Sequence, residues 1–357
     1  MKNIVTITGI RPDFIRMSEI FRKLDENFNH TLIHTGQHYD SIRSDIFFDE
    51  LDIREPGINL EIGAPGRSHY MQTADLFIKL VRIIKKMDHQ PDLIIFLGDS
   101  NSVTAAMPLK KEGYKIAHIE AGMRSGDKRM LEEINRTVCD HCSDYHFVYH
   151  EDYKQNLIAE NFPEENIFVV GNTIVEVFNK HYIRGTRKDE HILLDIHRPE
   201  NFEDINRLRQ TMFFAMQFGD TYDVPVFMID FKRTTDAMKH FKLNLHKIQL
   251  KPMMSYKSFL TFQERAMVII SDSGTAQEEP ALMGIPVIVP RDFTERPQSV
   301  LSNCSLMLDL DMSKIMSQST RVFEWLSKGE NMNTEWLGKG NTSELIIEIL
   351  KNKLRGE

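Results

Sequence analysis

What this sequence lacks narrows its chemistry before any motif is read. Among 357 residues there are only three cysteines. Cys139 and Cys142 form a Cys-x-x-Cys, but a zinc site needs further ligands: Cys304 is remote in sequence, and His141 should turn off the face the pair shares. The cysteines are therefore read as helix residues, and no metal is expected. No apolar run approaches a membrane span, and the chain enters Met1-Lys2-Asn3-Ile4-Val5-Thr6-Ile7 without the apolar core of a signal peptide. The expectation is a cytoplasmic protein with no membrane partner. No long Lys/Arg block is present and the formal net charge is -8, which argues against nucleic acid as a partner while leaving room for a local phosphate pocket. A G-x-G-x-x-G after the first strand and a G-x-x-x-x-G-K-[ST] are both missing, which disfavours a dinucleotide cofactor or a P-loop. No repeat of roughly 20–50 residues is visible.

What is present is a chain rich enough in apolar residues, 41% against 27% charged, to bury a core and divide into two domains. Strand-like and helix-like runs alternate, the pattern of an α/β protein with parallel sheets covered by helices on both faces. A strand at 4–8 leads through Gly9-Ile10-Arg11-Pro12-Asp13 to a helix at 14–24, with Arg11 and Arg16 at the carboxyl edge of the sheet. A strand at 31–34 runs into Thr35-Gly36-Gln37-His38, and a helix at 71–86 follows a polar stretch at 57–68. Strands at 92–97 and 115–119 end at Gly98-Asp99-Ser100 and at Glu120, and a loop at 121–129 leads to a helix carrying Leu131-Glu132-Glu133-Ile134-Asn135-Arg136. Strands at 145–148 and 167–170 flank a helix at 151–160, and Gly171-Asn172-Thr173 begins the crossing to the second half. The charged run 184–190 is the linker candidate, with the boundary placed near 175–190. The second half has a strand at 191–196 ending in His197-Arg198-Pro199-Glu200-Asn201, a helix at 202–218, a strand at 224–229 and a helix at 312–326. A final helix at 342–353 carries Leu345, Ile346, Ile349 and Leu350 on a face that must dock.

The second half is organised around residues 271–297, where an apolar run meets Ser271-Asp272-Ser273-Gly274. A helix starting at Gly274 would offer backbone N–H groups to a diphosphate, and Glu278 or Glu279 a turn later could accept ribose hydroxyls. An ordinary strand, turn and helix is the alternative. Arg11, Arg291 and Arg296 match phosphate oxygens, or else are solvated or pair with Asp13, Asp292 and Glu295. Asp99, Glu120 and Glu132 lie on the ligand edge and are candidates for acid/base work, since neighbouring carboxylates push each other's pKa apart. Alternatively Asp99 caps a helix, and Glu132 pairs with Arg136 at the i, i+4 spacing. His197 is the histidine most credibly delivered to a cleft.

In order along nearly the whole chain, these motifs resemble the non-hydrolysing UDP-N-acetylglucosamine 2-epimerases. G-T-R-P-E is similar to Gly9-Ile10-Arg11-Pro12-Asp13, T-G-Q-H to Thr35-Gly36-Gln37-His38, and G-D-T to Gly98-Asp99-Ser100. H-V-E-A-G-L-R-S resembles His118-Ile119-Glu120-Ala121-Gly122-Met123-Arg124-Ser125, and P-E-E-x-N-R resembles the run from Leu131 to Arg136. G-N-T matches Gly171-Asn172-Thr173, H-R-x-E-N matches the run from His197 to Asn201, D-S-G-G-x-Q-E-E the run from Asp272 to Glu279, and R-D-x-T-E-R-P the run from Arg291 to Pro297. The chain departs at Arg16 (Lys in the pattern), Leu131 (Pro), Thr275 (Gly), Phe231-Lys232-Arg233-Thr234 (His-Pro-Arg-Thr) and Leu337-Gly338-Lys339-Gly340 (Tyr-Gly-Asp-Gly).

The resemblance implies a glycosyltransferase-B fold of two Rossmann-like domains facing a cleft: 1–175 on the sugar side, 176–340 binding UDP, and a helix at 341–357 packing back on the first. It implies Asp99, Glu120, Glu132 and His197 as catalytic residues, with Arg11, Arg16, Arg136, Ser273, Gly274, Glu279 and Arg296 binding substrate. It implies no NAD or metal, a homodimer, and interconversion of UDP-GlcNAc and UDP-ManNAc by elimination of UDP to a glycal and re-addition. Rival readings are an epimerase for a related UDP-2-acetamido sugar, a hydrolysing epimerase, a transferase of the same fold, and an idle UDP-sugar-binding regulator. Thr35-Gly36-Gln37-His38 with Pro12 leans against hydrolysis.

Overall fold

The computed structural model describes residues 1–36, 44–63, 68–185, 190–308, 315–328 and 331–355. Two compact units emerge: Met1–Lys180 with Leu337–Glu357, and His181–Trp336. The chain therefore passes between them directly after the helix Thr173–His181, and the last segment returns to the first unit. Of the linker candidate at 184–190, residues 186–189 lie outside the described residues.

The first unit is built on seven strands: β1 (Asn3–Thr8), β2 (Asn29–His34), β3 (Ile58–Asn59), β4 (Leu93–Leu97), β5 (Ile116–Ile119), β6 (Tyr145–Val148) and β7 (Ile167–Val169). They lie in the order β3-β2-β1-β4-β5-β6-β7 and every pairing is parallel. The central strand β4, Leu-Ile-Ile-Phe-Leu, is buried at every position, as a parallel strand covered on both faces must be. Helix His69–Lys85 covers one face with Leu76, Leu80 and Ile84. The order reverses between β1 and β4, so the loops after Thr8 and Leu97 open at a switch point, where open α/β sheets take ligands.

Thr342–Arg355 forms the last helix, and it docks on this unit as its apolar stripe requires. Ile346, Ile347, Leu350 and Leu354 are buried, Thr342 Oγ1 donates to the Val170 carbonyl at 2.9 Å, and Ser343 bonds Glu176.

The second unit has six strands: β8 (His191–Asp195), β9 (Val226–Ile229), β10 (Ile248–Lys251), β11 (Ala266–Ser271), β12 (Val287–Val289) and β13 (Ser305–Met307). Their order is β10-β9-β8-β11-β12-β13, again all parallel, with the switch point between β8 and β11. The expected helix at 202–218 is two elements, Pro199–Phe202 and Ile205–Tyr222, because Asp204 caps a fresh start on the N–H groups of Asn206 and Arg207. Helix Lys232–His240, β10 and helix Tyr256–Glu264 fill a stretch in which the sequence suggested no elements.

Candidate active site

The turn after β1 is closed by Asp13. One of its carboxylate oxygens accepts both the Gly9 N–H at 2.7 Å and the Ile10 N–H at 3.1 Å, capping the helix Arg11–Asn27. Asp13 is thus engaged with backbone rather than with Arg11. Gly9 has no room for a side chain, since a Cβ there would stand 2.6 Å from Ser102 Oγ. Burial raises the Asp13 pKa, the two N–H groups pull against it, and the Asp99 and Glu120 charges push it further, to about 7. Arg11 is half-buried, and burial lowers its pKa against the opposing pull of Glu50.

The carboxyl ends of the neighbouring strands β4 and β5 deliver Asp99 and Glu120, each to an arginine. Arg136, 2% exposed, reaches Asp99 with one guanidinium nitrogen and Glu133 with another at 3.1 Å. Asp99 does not cap the following 3-10 segment Asn101–Ala105, whose cap position is Ser100; its carboxylate goes to Arg136 and its carbonyl accepts from Asn135 at 3.0 Å. Glu120 pairs with Arg16 in a buried ion pair, and its backbone sits at φ +71°, a left-handed conformation that costs a non-glycine residue about 1–3 kcal/mol.

Arg136 reaches Glu133 on the buried side of helix Leu131–Cys142, while Glu132 lies about 100° around the helix and is half-exposed. Glu133 also accepts the Ser125 and Gly126 N–H groups and so shapes the loop after Glu120. The sequence does not show which of the two adjacent glutamates faces the interior.

In the second unit, Asp272 organises the switch point. It accepts the His197 and Arg198 N–H groups at 3.0 and 3.1 Å and the Asn201 amide at 2.9 Å. Ser271 Oγ bonds Asp195 at 2.8 Å, tying the ends of β8 and β11. His197 Nδ1 stands 3.4 Å from both Asp195 and Asp272, while a third of the side chain remains open. Burial works to lower the His197 pKa, yet the Asp272 and Asp195 carboxylates outweigh it and the imidazole is held above its ordinary value.

The helix expected to start at Gly274 is instead a three-residue 3-10 turn, Thr275–Gln277, followed by a five-residue helix, Glu279–Met283, with Pro280 in its first turn. Such short pieces carry little macrodipole; what they present is the N–H groups that open the turn. Ser273 lies before it, its Oγ 2.9 Å from Thr275 Oγ1, so the Thr275 departure adds a hydroxyl contact to the turn. Gly274 is required by Arg296, whose Nη1 would lie 2.5 Å from a Cβ at that position. Arg296 is in turn held by fully buried Glu278, and Glu279 accepts from Tyr256 Oη at 2.8 Å. For Arg291 the structure shows the alternative of an acidic partner: it is buried, with both terminal nitrogens on Glu295 at 3.0 and 3.2 Å. Phe231, at the departure from histidine, packs its ring 5.1 Å from that of His197.

Asp99, Glu120, Arg16 and Arg136 are therefore assembled at one edge of the first unit. His197, Ser273, Gly274 and Arg296 belong to the switch-point turns of the second. Gln37 and His38 of the Thr-Gly-Gln-His motif lie outside the described residues. Among the described residues no His/Cys/Asp/Glu cluster suited to a metal occurs, and no helix is long and apolar enough to cross a membrane.

Two all-parallel α/β sheets, each with polar turns converging at its switch point, define a two-Rossmann architecture of the glycosyltransferase-B type. Within that class the chain belongs to the UDP-N-acetylglucosamine 2-epimerase family, whose model matches residues 22–351, and it is an enzyme of the epimerase type. It is 34% identical to the UDP-N-acetylglucosamine 2-epimerase of Methanocaldococcus jannaschii, over 96% of this chain and 97% of that one. It is 31% identical to the UDP-2,3-diacetamido-2,3-dideoxy-D-glucuronate 2-epimerase of Pseudomonas aeruginosa, over 97% and 99% of the two chains. The crystal structure of the M. jannaschii UDP-GlcNAc 2-epimerase in complex with UDP-GlcNAc and UDP is similar with a TM-score of 0.87 and 33% identity, covering 99% of this chain and all of that one.

Proposed function

We propose that this enzyme interconverts UDP-N-acetylglucosamine and UDP-N-acetylmannosamine, keeping the product linked to UDP. The C2 hydrogen of the sugar is not acidic enough for direct removal. Breaking the bond from C1 to the UDP oxygen builds positive charge on the ring and acidifies C2–H, so loss of UDP and of that proton yields a glycal. Return of UDP to C1 and of a proton to the other face of C2 gives the epimer. The observation that carries this reading is the pairing at the ends of the adjacent strands β4 and β5: two carboxylates, Asp99 and Glu120, each aimed by a buried arginine. Two groups working on opposite faces of one carbon are what the reaction needs.

Glu132 completes the acid/base set in this reading, and Arg11, Arg16 and Arg136 flank it on the substrate side. UDP is assigned to the second unit: Ser273, Gly274 and Arg296 around the diphosphate, His197 beside it as the cation that favours departure of UDP, and Glu279 toward the ribose. Neither NAD nor metal enters the scheme. A homodimer fits the apolar side chains exposed on helices His69–Lys85 and Leu131–Cys142, where Tyr70, Met71, Ile78, Leu131 and Ile134 are 45–75% open.

The test is to incubate the protein with UDP-GlcNAc and resolve the products by NMR. A manno sugar still attached to UDP supports the proposal; free sugar with UDP would mean a hydrolysing epimerase, and no change despite binding would remove this substrate. A related UDP-2-acetamido sugar is the second reading, supported by the P. aeruginosa relative, whose named substrate carries the same C2 substituent.

A further inference from the structure

His118 lies in the interior of β5, fully buried, two residues before Glu120. Both of its ring nitrogens are engaged. Nε2 stands 2.8 Å from the Gly98 carbonyl oxygen, a group that only accepts, so Nε2 must carry hydrogen. Nδ1 stands 2.6 Å from Asp140 Oδ1. Asp140 is itself a buried acceptor, taking the Gly122 N–H at 3.2 Å and Arg124 at 2.7 Å on its other oxygen, so Nδ1 must donate as well. Satisfying both contacts requires the imidazolium.

The groups this cation touches flank the two proposed acid/base carboxylates. Gly98, in a left-handed turn at φ +75°, immediately precedes Asp99. Gly122, at φ +76°, follows Glu120 by two residues and is held by the same Asp140. We propose that His118, protonated on both nitrogens and seated on Asp140, is a positioning residue that locks the strand ends bearing Asp99 and Glu120 into one relative geometry. The proposal rests on the acid/base reading of those two carboxylates.

The surroundings agree. Burial opposes the charge on His118, but the neighbouring Cys139 sulfur and the Asp140 carboxylate outweigh it, raising its pKa well above the ordinary value, while Asp140 is driven down by His118 and Arg124 against its own burial. The groups packed around the ring are Cys139 and Asp140 from helix Leu131–Cys142, His146 from β6, and Arg124 acting through Asp140. His146 is kept neutral, its pKa lowered by burial despite Asp140, so it does not compete for the charge.

The experiment has an arm independent of activity. In histidine-labelled protein, ring 15N spectra at pH 8 should show His118 protonated on both nitrogens; a neutral tautomer there overturns the proposal. His118→Gln, able to donate only on one side, should lower kcat by about 10–100-fold with KM for the UDP-sugar unchanged, and should shift the Asp99 and Glu120 amide resonances. A folded His118→Gln protein with kcat within about twofold of the parent, or with those amides unmoved, overturns it. If that variant does not fold, Asp140→Asn replaces it with the same expected and overturning results. Should the parent protein not epimerise UDP-sugars at all, the functional reading fails, and the ring-nitrogen and amide arms still decide on the lock.

Discussion

Arg16 and Glu120 meet in a buried ion pair, 4% and 8% exposed, although 104 residues separate them in the chain. The pair aims the carboxylate at the strand edge and cancels its charge where water does not reach. Removing the cation should therefore be worse than weakening it. Arg16→Met is expected to cost about 3–5 kcal/mol of stability, the usual consequence of orphaning a buried charge, and Arg16→Lys distinctly less. Denaturant unfolding of both variants measures this; equal losses would mean that the pair contributes packing and not charge.

Gly274 abuts the Arg296 guanidinium, so Gly274→Ala places a methyl where Nη1 now lies. Because Arg296 is anchored on Glu278, it cannot swing away freely. UDP affinity measured by calorimetry should fall at least about tenfold, or about 1.4 kcal/mol. Unchanged affinity would remove Gly274 and Arg296 from the UDP site.

Asp13 should make stability depend on pH. Its pKa is raised on folding from an ordinary carboxylate value to about 7, so the folded state holds a proton that the unfolded chain has released. The stability this contributes is complete below about pH 4 and is lost as pH rises through about 7, roughly 2–3 kcal/mol of it between pH 5 and pH 8. Asparagine mimics the protonated side chain and can still accept both N–H groups on one oxygen. Asp13→Asn should thus flatten the decline, gaining most over the parent at pH 8; thermal melts at the two pH values decide.

Ile78→Asp places a charge among the exposed apolar side chains of helix His69–Lys85. Sedimentation velocity should show a dimeric parent protein and a variant shifted toward monomer. A monomeric parent would contradict the dimer reading.

Much of this arrangement is legible in the sequence because parallel strands are nearly continuous apolar runs that stop abruptly. The ends at Thr8, Leu97, Ile119 and Ser271 can be read directly, and each hands over to a polar turn. Pairings between distant residues are less accessible. Nothing local says that Arg136 reaches Glu133 and Asp99, since this depends on which side of the helix faces the sheet. Arg291 and Arg296 look alike in sequence, yet one is sealed on Glu295 and the other lies against Gly274. His118 reads as one more apolar-strand residue until Gly98 and Asp140 are seen on either side of it. Helix Lys232–His240 has only Ala237 and Met238 as apolar residues, and β10 exposes two of its four positions, so neither stands out as an apolar run.

The central claim is that a proton leaves and returns at C2 under control of the first unit's carboxylates while the sugar stays attached to UDP at the end of each cycle. Its most direct measurement is C2 exchange in heavy water, following UDP-GlcNAc by NMR with the parent protein and with Glu120→Gln. The account predicts deuterium at C2 in both UDP-linked epimers with the parent protein, and no exchange with Glu120→Gln although that variant still binds UDP. Epimerisation without deuterium at C2, or exchange that persists in Glu120→Gln, would contradict it.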